Sequence, residues 1–107
     1  MTANEPVRAT RSAPDYRLYA LPGGPPYRPG MVRVASGGAS IDVEVWSLPE
    51  DGFGSFVAAI PAPLGIGKVK LEDGSLLPGF VCESVAADGA EDITHHGGWR
   101  AYVQATA

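Results

Sequence analysis

The sequence predicts an α+β fold: a small twisted sheet, mixed or antiparallel, of about five short strands curling toward a partial barrel, with two short helices. Three observations carry that expectation. Short runs of alternating apolar residues end at Gly37-Gly38 and Asp73-Gly74 corners. A single apolar stripe at helical spacing lies between them, at Phe53, Phe56, Val57 and Ile60. Fourteen glycines and ten prolines in 107 residues mark many tight corners, which suits short strands better than long helices.

The length allows one domain. Residues 1–13 are polar and aperiodic and are read as a flexible lead-in, with the domain spanning 14–107. Tyr16 to Leu21 reads as a strand. It runs into Pro22 to Gly30, where four prolines and three glycines forbid regular structure, as a stiff connector, a binding rim or a covering flap. Met31 to Ala35 and Ile41 to Trp46 read as a hairpin turning at Gly37-Gly38. That register sets Val34 opposite Ile41, Val32 opposite Val43, and Arg33 opposite Asp42 as a cross-strand charge pair.

Ser47 and Glu50 have capping-box spacing ahead of the helical stripe, so a helix is expected over Pro49 to Ala59, ended by Pro61 and Pro63. Lys68 to Glu72 and Ser75 to Glu83 read as a second hairpin with a type I′ turn at Asp73-Gly74. In that register Leu71 faces Leu76, Val69 faces Pro78, and Phe80 and Cys82 continue the same apolar side. Pro78 has no amide hydrogen and requires an edge or a bulge. Asp92 or Thr94 caps a final short helix with Trp99, Tyr102 and Val103 on one face.

Composition excludes several function classes. A net charge of −4 argues against nucleic acid and anionic membrane surfaces as partners. No apolar run approaches the roughly 20 residues of a membrane span, and the N-terminus has no apolar signal core, so the expected location is cytoplasmic. The single cysteine, Cys82, forbids an internal disulfide, and neither a metal nor a cofactor is expected.

Candidate chemistry is sparse. His95 and His96 are adjacent and cannot easily share one metal; each is a surface, capping or acid–base candidate. Glu83 and Glu44 project from the polar side of their strands and are general-base candidates beside the plainer reading as solvated residues. Cys82 falls among apolar residues, where a thiol is usually a small hydrophobe. Tyr16, Tyr19 and Tyr27 flank or sit in the proline-rich segment. The corner Pro63, Leu64, Gly65, Ile66, Gly67 lacks the lysine and hydroxyl of a phosphate loop; its glycines allow close approach of another backbone or a small planar ligand. Tyr19, Pro63, Leu64, Gly65 and Gly67 are therefore the candidate substrate contacts, and His95, His96 and Glu83 the candidate catalytic groups.

Longer stretches carry a resemblance. YRLYALPG, PPYRPGMVRV, VEVWSLP, FGSFVAAIPAPLGIG, LPGFVCE and GAEDITHHGGWRAY together resemble the C-terminal domain of allophanate hydrolases, a domain similar to gamma-glutamylcyclotransferase. The resemblance covers the chain from about Val7 onward. It implies a stand-alone version of that domain in urea and allophanate nitrogen metabolism. The family's fuller proteins carry an amidase domain, and the C-terminal domain has been assigned decarboxylation of N-carboxycarbamate. Two functional readings stay open: an aid to that decarboxylation acting on a small carboxylated amine, or a non-catalytic module for assembly or small-ligand binding. The family's preceding apolar strand and loop have no counterpart here, which implies an exposed sheet edge covered by a second copy or by a separate amidase subunit. No carboxylate follows the middle helix, so cyclotransferase activity is not expected.

Overall fold

The computed structural model describes residues 6–23, 28–47 and 50–106. Its elements follow in the order β1 (Pro6–Arg11), β2 (Tyr16–Leu21), β3 (Arg28–Arg33), β4 (Asp42–Trp46), α1 (Glu50–Ala58), β5 (Leu64–Lys70), β6 (Leu76–Cys82), β7 (Glu91–Asp92) and α2 (Trp99–Thr106). Single-turn 3-10 segments precede β7 and α2, at Ser84–Ala87 and Thr94–His96. The α+β class expected from the sequence is the class found.

Three small antiparallel sheets form, ordered β1-β4, β3-β2-β7 and β5-β6. Backbone bonds stitch them into a partly open barrel. The β1 and β5 ends meet through the Ser12–Leu71 bridge and the Ala13 amide donating to the Lys70 carbonyl at 2.9 Å. β3 lies beside β6, close enough that a Cβ on Gly30 would stand 3.0 Å from Cys82 Sγ. The ring closes where the Asp42 amide donates to the Gly97 carbonyl at 2.7 Å.

Residues 6–11 belong to this barrel rather than to a flexible lead-in. They pair with β4 through a register shift between Pro6 and Arg8. The Arg11 guanidinium takes the Asp42 carboxylate at 3.1 Å, a role assigned from sequence to Arg33. The expected hairpin between residues 31–35 and 41–46 does not form, because each of its strands has another partner. β3 pairs with β2, setting Tyr16 opposite Arg33 and Leu21 opposite Arg28. β4 pairs with β1. The Gly37-Gly38 corner instead carries the chain across the start of β2, where Tyr16 and Ala39 exchange backbone hydrogen bonds. Only glycine fits at 38, since a Cβ there would lie 2.6 Å from the Asp15 carbonyl carbon.

The β5–β6 hairpin forms with its register one residue away from expectation: Val69 pairs with Leu77 and Lys68 with Pro78. The turn is one residue longer than a two-residue type I′ connection. The Gly74 amide donates to the Leu71 carbonyl at 2.9 Å, and Gly74 takes φ of 90°, as in a three-residue loop closed by a left-handed glycine. Asp73 Oδ1 accepts from the Ser75 amide and hydroxyl and fixes that form. A one-residue slip exchanges faces. Leu76, Pro78 and Phe80 consequently point outward, while Leu77 and Val81 pack on the core. Pro78 is accommodated because β6 has a ladder partner on one side only among the described residues.

α1 has the expected position, ended by Pro61. Leu48 and Pro49, between the expected capping residues Ser47 and Glu50, lie outside the described residues. Ahead of α2, Asp92 Oδ1 accepts from the Thr94 amide and hydroxyl, which caps the 3-10 turn. Gly97, at φ of 82°, then redirects the chain into α2. Trp99 and Tyr102 pack on the core as expected, whereas Val103 is exposed.

The core gathers Tyr16, Leu18, Ile41, Val69, Leu71 and Ile93. Tyr16 and Ile93 are fully buried. The polar groups this core encloses are satisfied. Tyr16 Oη accepts from the Lys70 amide at 2.9 Å, Ser12 Oγ from the Ile41 amide at 2.9 Å, and Thr94 Oγ1 from the Leu18 amide at 2.9 Å. Each removes an otherwise costly orphan donor, and the Tyr16 bond does so across two sheets.

Candidate functional site

Between the β1-β4 sheet, the β5-β6 hairpin and α1 the barrel stands open in a cleft of about 1440 Å³. Val69 and Leu77 on the core face of the β5-β6 hairpin and Ile66 and Phe80 on its other face all reach it, and Leu18, Met31 and Ile41 form its floor. α1 contributes Phe53 and Phe56, and the end of β4 contributes Trp46. Phe56 meets Phe80 edge to face, with ring centroids 5.7 Å apart. These walls are not covered: Trp46 is 49% exposed, Phe80 49% and Phe56 38%. Contiguous exposed aromatic surface of this kind marks a place where something binds.

Four of the five charged residues at the rim are paired with one another, Glu72 being the fifth. Arg11 holds Asp42 and donates to the Ser40 carbonyl at 3.1 Å. Arg100 donates to Glu44 at 2.8 Å. No histidine or cysteine lines the cleft among the described residues. The cleft can therefore take up apolar surface, but it holds no nucleophile–base pair.

The candidate residues fall in separate places. Of the five substrate-contact candidates, Leu64 lines the cleft, while Tyr19, Pro63, Gly65 and Gly67 do not. Tyr19 sits in the middle strand, opposite Gly30 on one side and Asp92 on the other. Gly67 backs onto Val81, where a Cβ would stand 3.1 Å from a side-chain methyl. Glu83 is exposed beyond β6; its amide donates to the Pro63 carbonyl at 3.0 Å. Glu44 is the ion-pair partner of Arg100. His95 and His96 stack on each other at 4.3 Å, and His96 meets the Tyr102 ring edge-on at 5.3 Å. Tyr102 in turn donates to Glu91 at 3.0 Å. This outer cluster does not reach the cleft. Among the described residues no group of three His, Cys, Asp or Glu side chains stands ready to hold a metal ion.

Cys82 is buried, and burial followed by the Glu83 charge pushes its thiol up, away from the thiolate a nucleophile requires. Its Sγ donates weakly to the Glu83 carbonyl. Asp92 is the most perturbed carboxyl. Partial burial alone pushes it up, but hydrogen bonds from Arg17 and from the Thr94 hydroxyl and amide outweigh this and hold it at about 2. The Arg17–Asp92 contact, at 2.7 Å, ties β2 to β7 and is structural. Tyr27 lies outside the described residues.

Sequence reading passed over Trp46 and Arg28. Trp46 has the same parity as Asp42 and Glu44, and a tryptophan on the polar face of an alternating strand is itself a signal. Arg28 is the one cation of the proline-rich segment, a position that composition alone does not single out.

Comparison with known proteins gives one consistent result. A profile of the family "Allophanate hydrolase C-terminal domain" matches residues 2–104. The chain is 46% identical over 99 residues to a urea amidolyase of Saccharomyces cerevisiae, an alignment covering 89% of this chain and 5% of the yeast protein. A solved Kluyveromyces lactis allophanate hydrolase superposes with a TM-score of 0.90 at 40% identity, covering 97% of this chain and 18% of that one. A solved uropathogenic E. coli-specific protein superposes with a TM-score of 0.84 at 40% identity, covering 94% of this chain and 77% of that one. The chain thus spans a small part of the yeast enzymes' length and most of the bacterial one's. Among the described residues no helix is long and apolar enough to cross a membrane. Extended over 2–104 of 107 residues, the match shows that this chain belongs to the allophanate hydrolase C-terminal domain family.

Proposed function

We propose that this domain serves urea and allophanate nitrogen metabolism in the cytoplasm as an assembly module, with the open cleft as the surface on which an amidase partner seats. The observation that carries this reading is the uncovered apolar wall of Trp46, Phe56 and Phe80. Relatives that hold this domain within a much longer chain agree with it. Sites for compact ligands run to roughly 300–1,000 Å³. The cleft, at about 1440 Å³, is larger than that and open at the side. A small carboxylated amine would fill little of it and would lose hydration without gaining partners. An apolar polypeptide surface fits it better. Leu64 is the one sequence-derived contact retained in this reading.

The test pairs the full chain with the separately produced amidase domain of an allophanate hydrolase, read by light scattering and titration calorimetry. A one-to-one complex is expected, weakened on the order of tenfold or more by Trp46→Glu. Two results would count against it: self-association of the chain with no affinity for the amidase, or faster bicarbonate release from enzymatically generated N-carboxycarbamate by the chain alone. The first would assign the cleft to a homodimer, the second to decarboxylation.

A further inference from the structure

Beside the Phe56–Phe80 pair lies a smaller, open-sided chamber of about 400 Å³, bounded by the C-terminal end of α1, the Pro61 corner and the start of β3. Its wall residues are Phe56, Ile60, Pro61, Leu64 and Phe80, with Pro29 below. One charged residue, Arg28, stands at the edge of this otherwise apolar lining. Among the described residues Arg28 has no carboxylate partner and makes no side-chain hydrogen bond, in contrast to Arg11, Arg17 and Arg100. We propose that this chamber is a binding site for a free aliphatic carboxylic acid, the tail lying among the two phenyl rings and Ile60 and the head on the Arg28 guanidinium.

The chemistry of the lining selects that class. An apolar chamber of a few hundred cubic ångströms with a single directing polar group is how proteins hold small amphipathic molecules. A guanidinium offers a planar fork of donors that matches a carboxylate in two parallel hydrogen bonds. The chain's net charge of −4 repels anions in general, so preference for an acid over its neutral analogue has to come from this local cation. The chamber shares Pro29, Phe56, Leu64 and Phe80 with the larger cleft, but Arg28 and Ile60 line only the chamber and Trp46 only the cleft, so variants at Arg28 and at Trp46 test the two readings separately.

Titrating the full chain with octanoate and with octanamide, followed by the ring resonances of Phe56 and Phe80, tests it. Octanoate should shift both rings saturably, with octanamide on the order of tenfold weaker, the usual reward for a charge-assisted hydrogen bond. Arg28→Gln should bring octanoate down to the octanamide level, while Arg33→Gln, at the exposed end of the same strand, should change nothing. Equal binding of the acid and the amide by the wild-type chain would overturn the proposal, whether or not any variant folds. So would an absence of saturable octanoate binding, or equal losses in the two arginine variants.

Discussion

The two halves of this barrel are built from similar residues and end in opposite states. Around Tyr16, side chains from β2, β5 and the segment before β4 close with Tyr16 and Ile93 at 0% exposure and Ile41 at 2%. Under α1, a comparable number of aromatic and aliphatic groups leave Trp46 and Phe80 half exposed. Hydrophobicity does not separate them. The closed half carries polar anchors: Ser12 and Thr94 satisfy backbone amides at the ends of strand pairings, and Tyr16 does so between two sheets. The open half has none, and its hairpin and helix meet through Phe56 and Phe80. Apolar surface alone gives a wall that accepts a partner, whereas apolar surface with buried hydrogen bonds gives a fixed core.

The widest gap between the halves should come from aromatic truncation. Tyr16→Ala is expected to cost about 3–5 kcal/mol, the range for removing a fully buried aromatic ring. Phe80→Ala should cost about 1–2 kcal/mol, since only half of that ring is buried and its stacking on Phe56 is the main loss. Urea unfolding followed by circular dichroism measures both; equal losses would erase the distinction.

Ser12→Ala isolates the polar anchor. Ser12 is fully buried, and losing its oxygen strands the Ile41 amide, a defect of about 1–3 kcal/mol. Amide hydrogen exchange at Ile41 should accelerate selectively in this variant. An unchanged rate would mean that water replaces the hydroxyl and that the anchor is dispensable.

The β5–β6 hairpin offers a test of opposite signs. A Cβ on Gly79 would stand 2.8 Å from Val69 Cγ2, inside the core, so Gly79→Ala should destabilise by about 1–3 kcal/mol. Nothing lies within 4 Å of a Cβ on Gly65. Gly65→Ala should therefore be neutral or stabilise by up to about 1 kcal/mol through the unfolded chain. Thermal melts of the two variants moving in the same direction would contradict the register.

The smallest expected effect is electrostatic. Asp92 falls from its ordinary 3.8 to about 2 on folding, so its carboxylate stabilises the native state above about pH 4. That stability is lost as pH falls through 4 toward 2, because the folded carboxyl is the harder one to protonate. With the side chain 35% exposed, solvent screening leaves about 1 kcal/mol. Asp92→Asn should flatten that part of the stability–pH curve; an unchanged curve would assign acid sensitivity elsewhere.

Much of the fold was legible. Alternation placed Val43, Val45 and Val69 inward, the 53-56-57-60 stripe located α1, and Asp73-Gly74 located a turn. Motif wording identified the family, a match that a profile over residues 2–104 bears out. The cleft was less legible. Leu64 was found, whereas Trp46 owes its role to pairing with the distant β1 and Phe80 to the hairpin register.

The sequence by itself determined most strands, both helices and the apolar face of most of them, because those properties repeat every two or 3.6 residues within one segment; β1 and the proline-bounded start of β3 carry no such repeat and were decided by their pairing. Tertiary structure alone decided which strand lies beside which. Alternation specifies a face and is silent about the neighbour, so β3 and β4 could be read as partners although Tyr16 and Arg11 claim them instead. It also decided the hairpin register, since one extra turn residue at Gly74 exchanges inside for outside from Leu76 to Phe80. The open cleft is a consequence of those pairings, and no single stretch of the chain contains it.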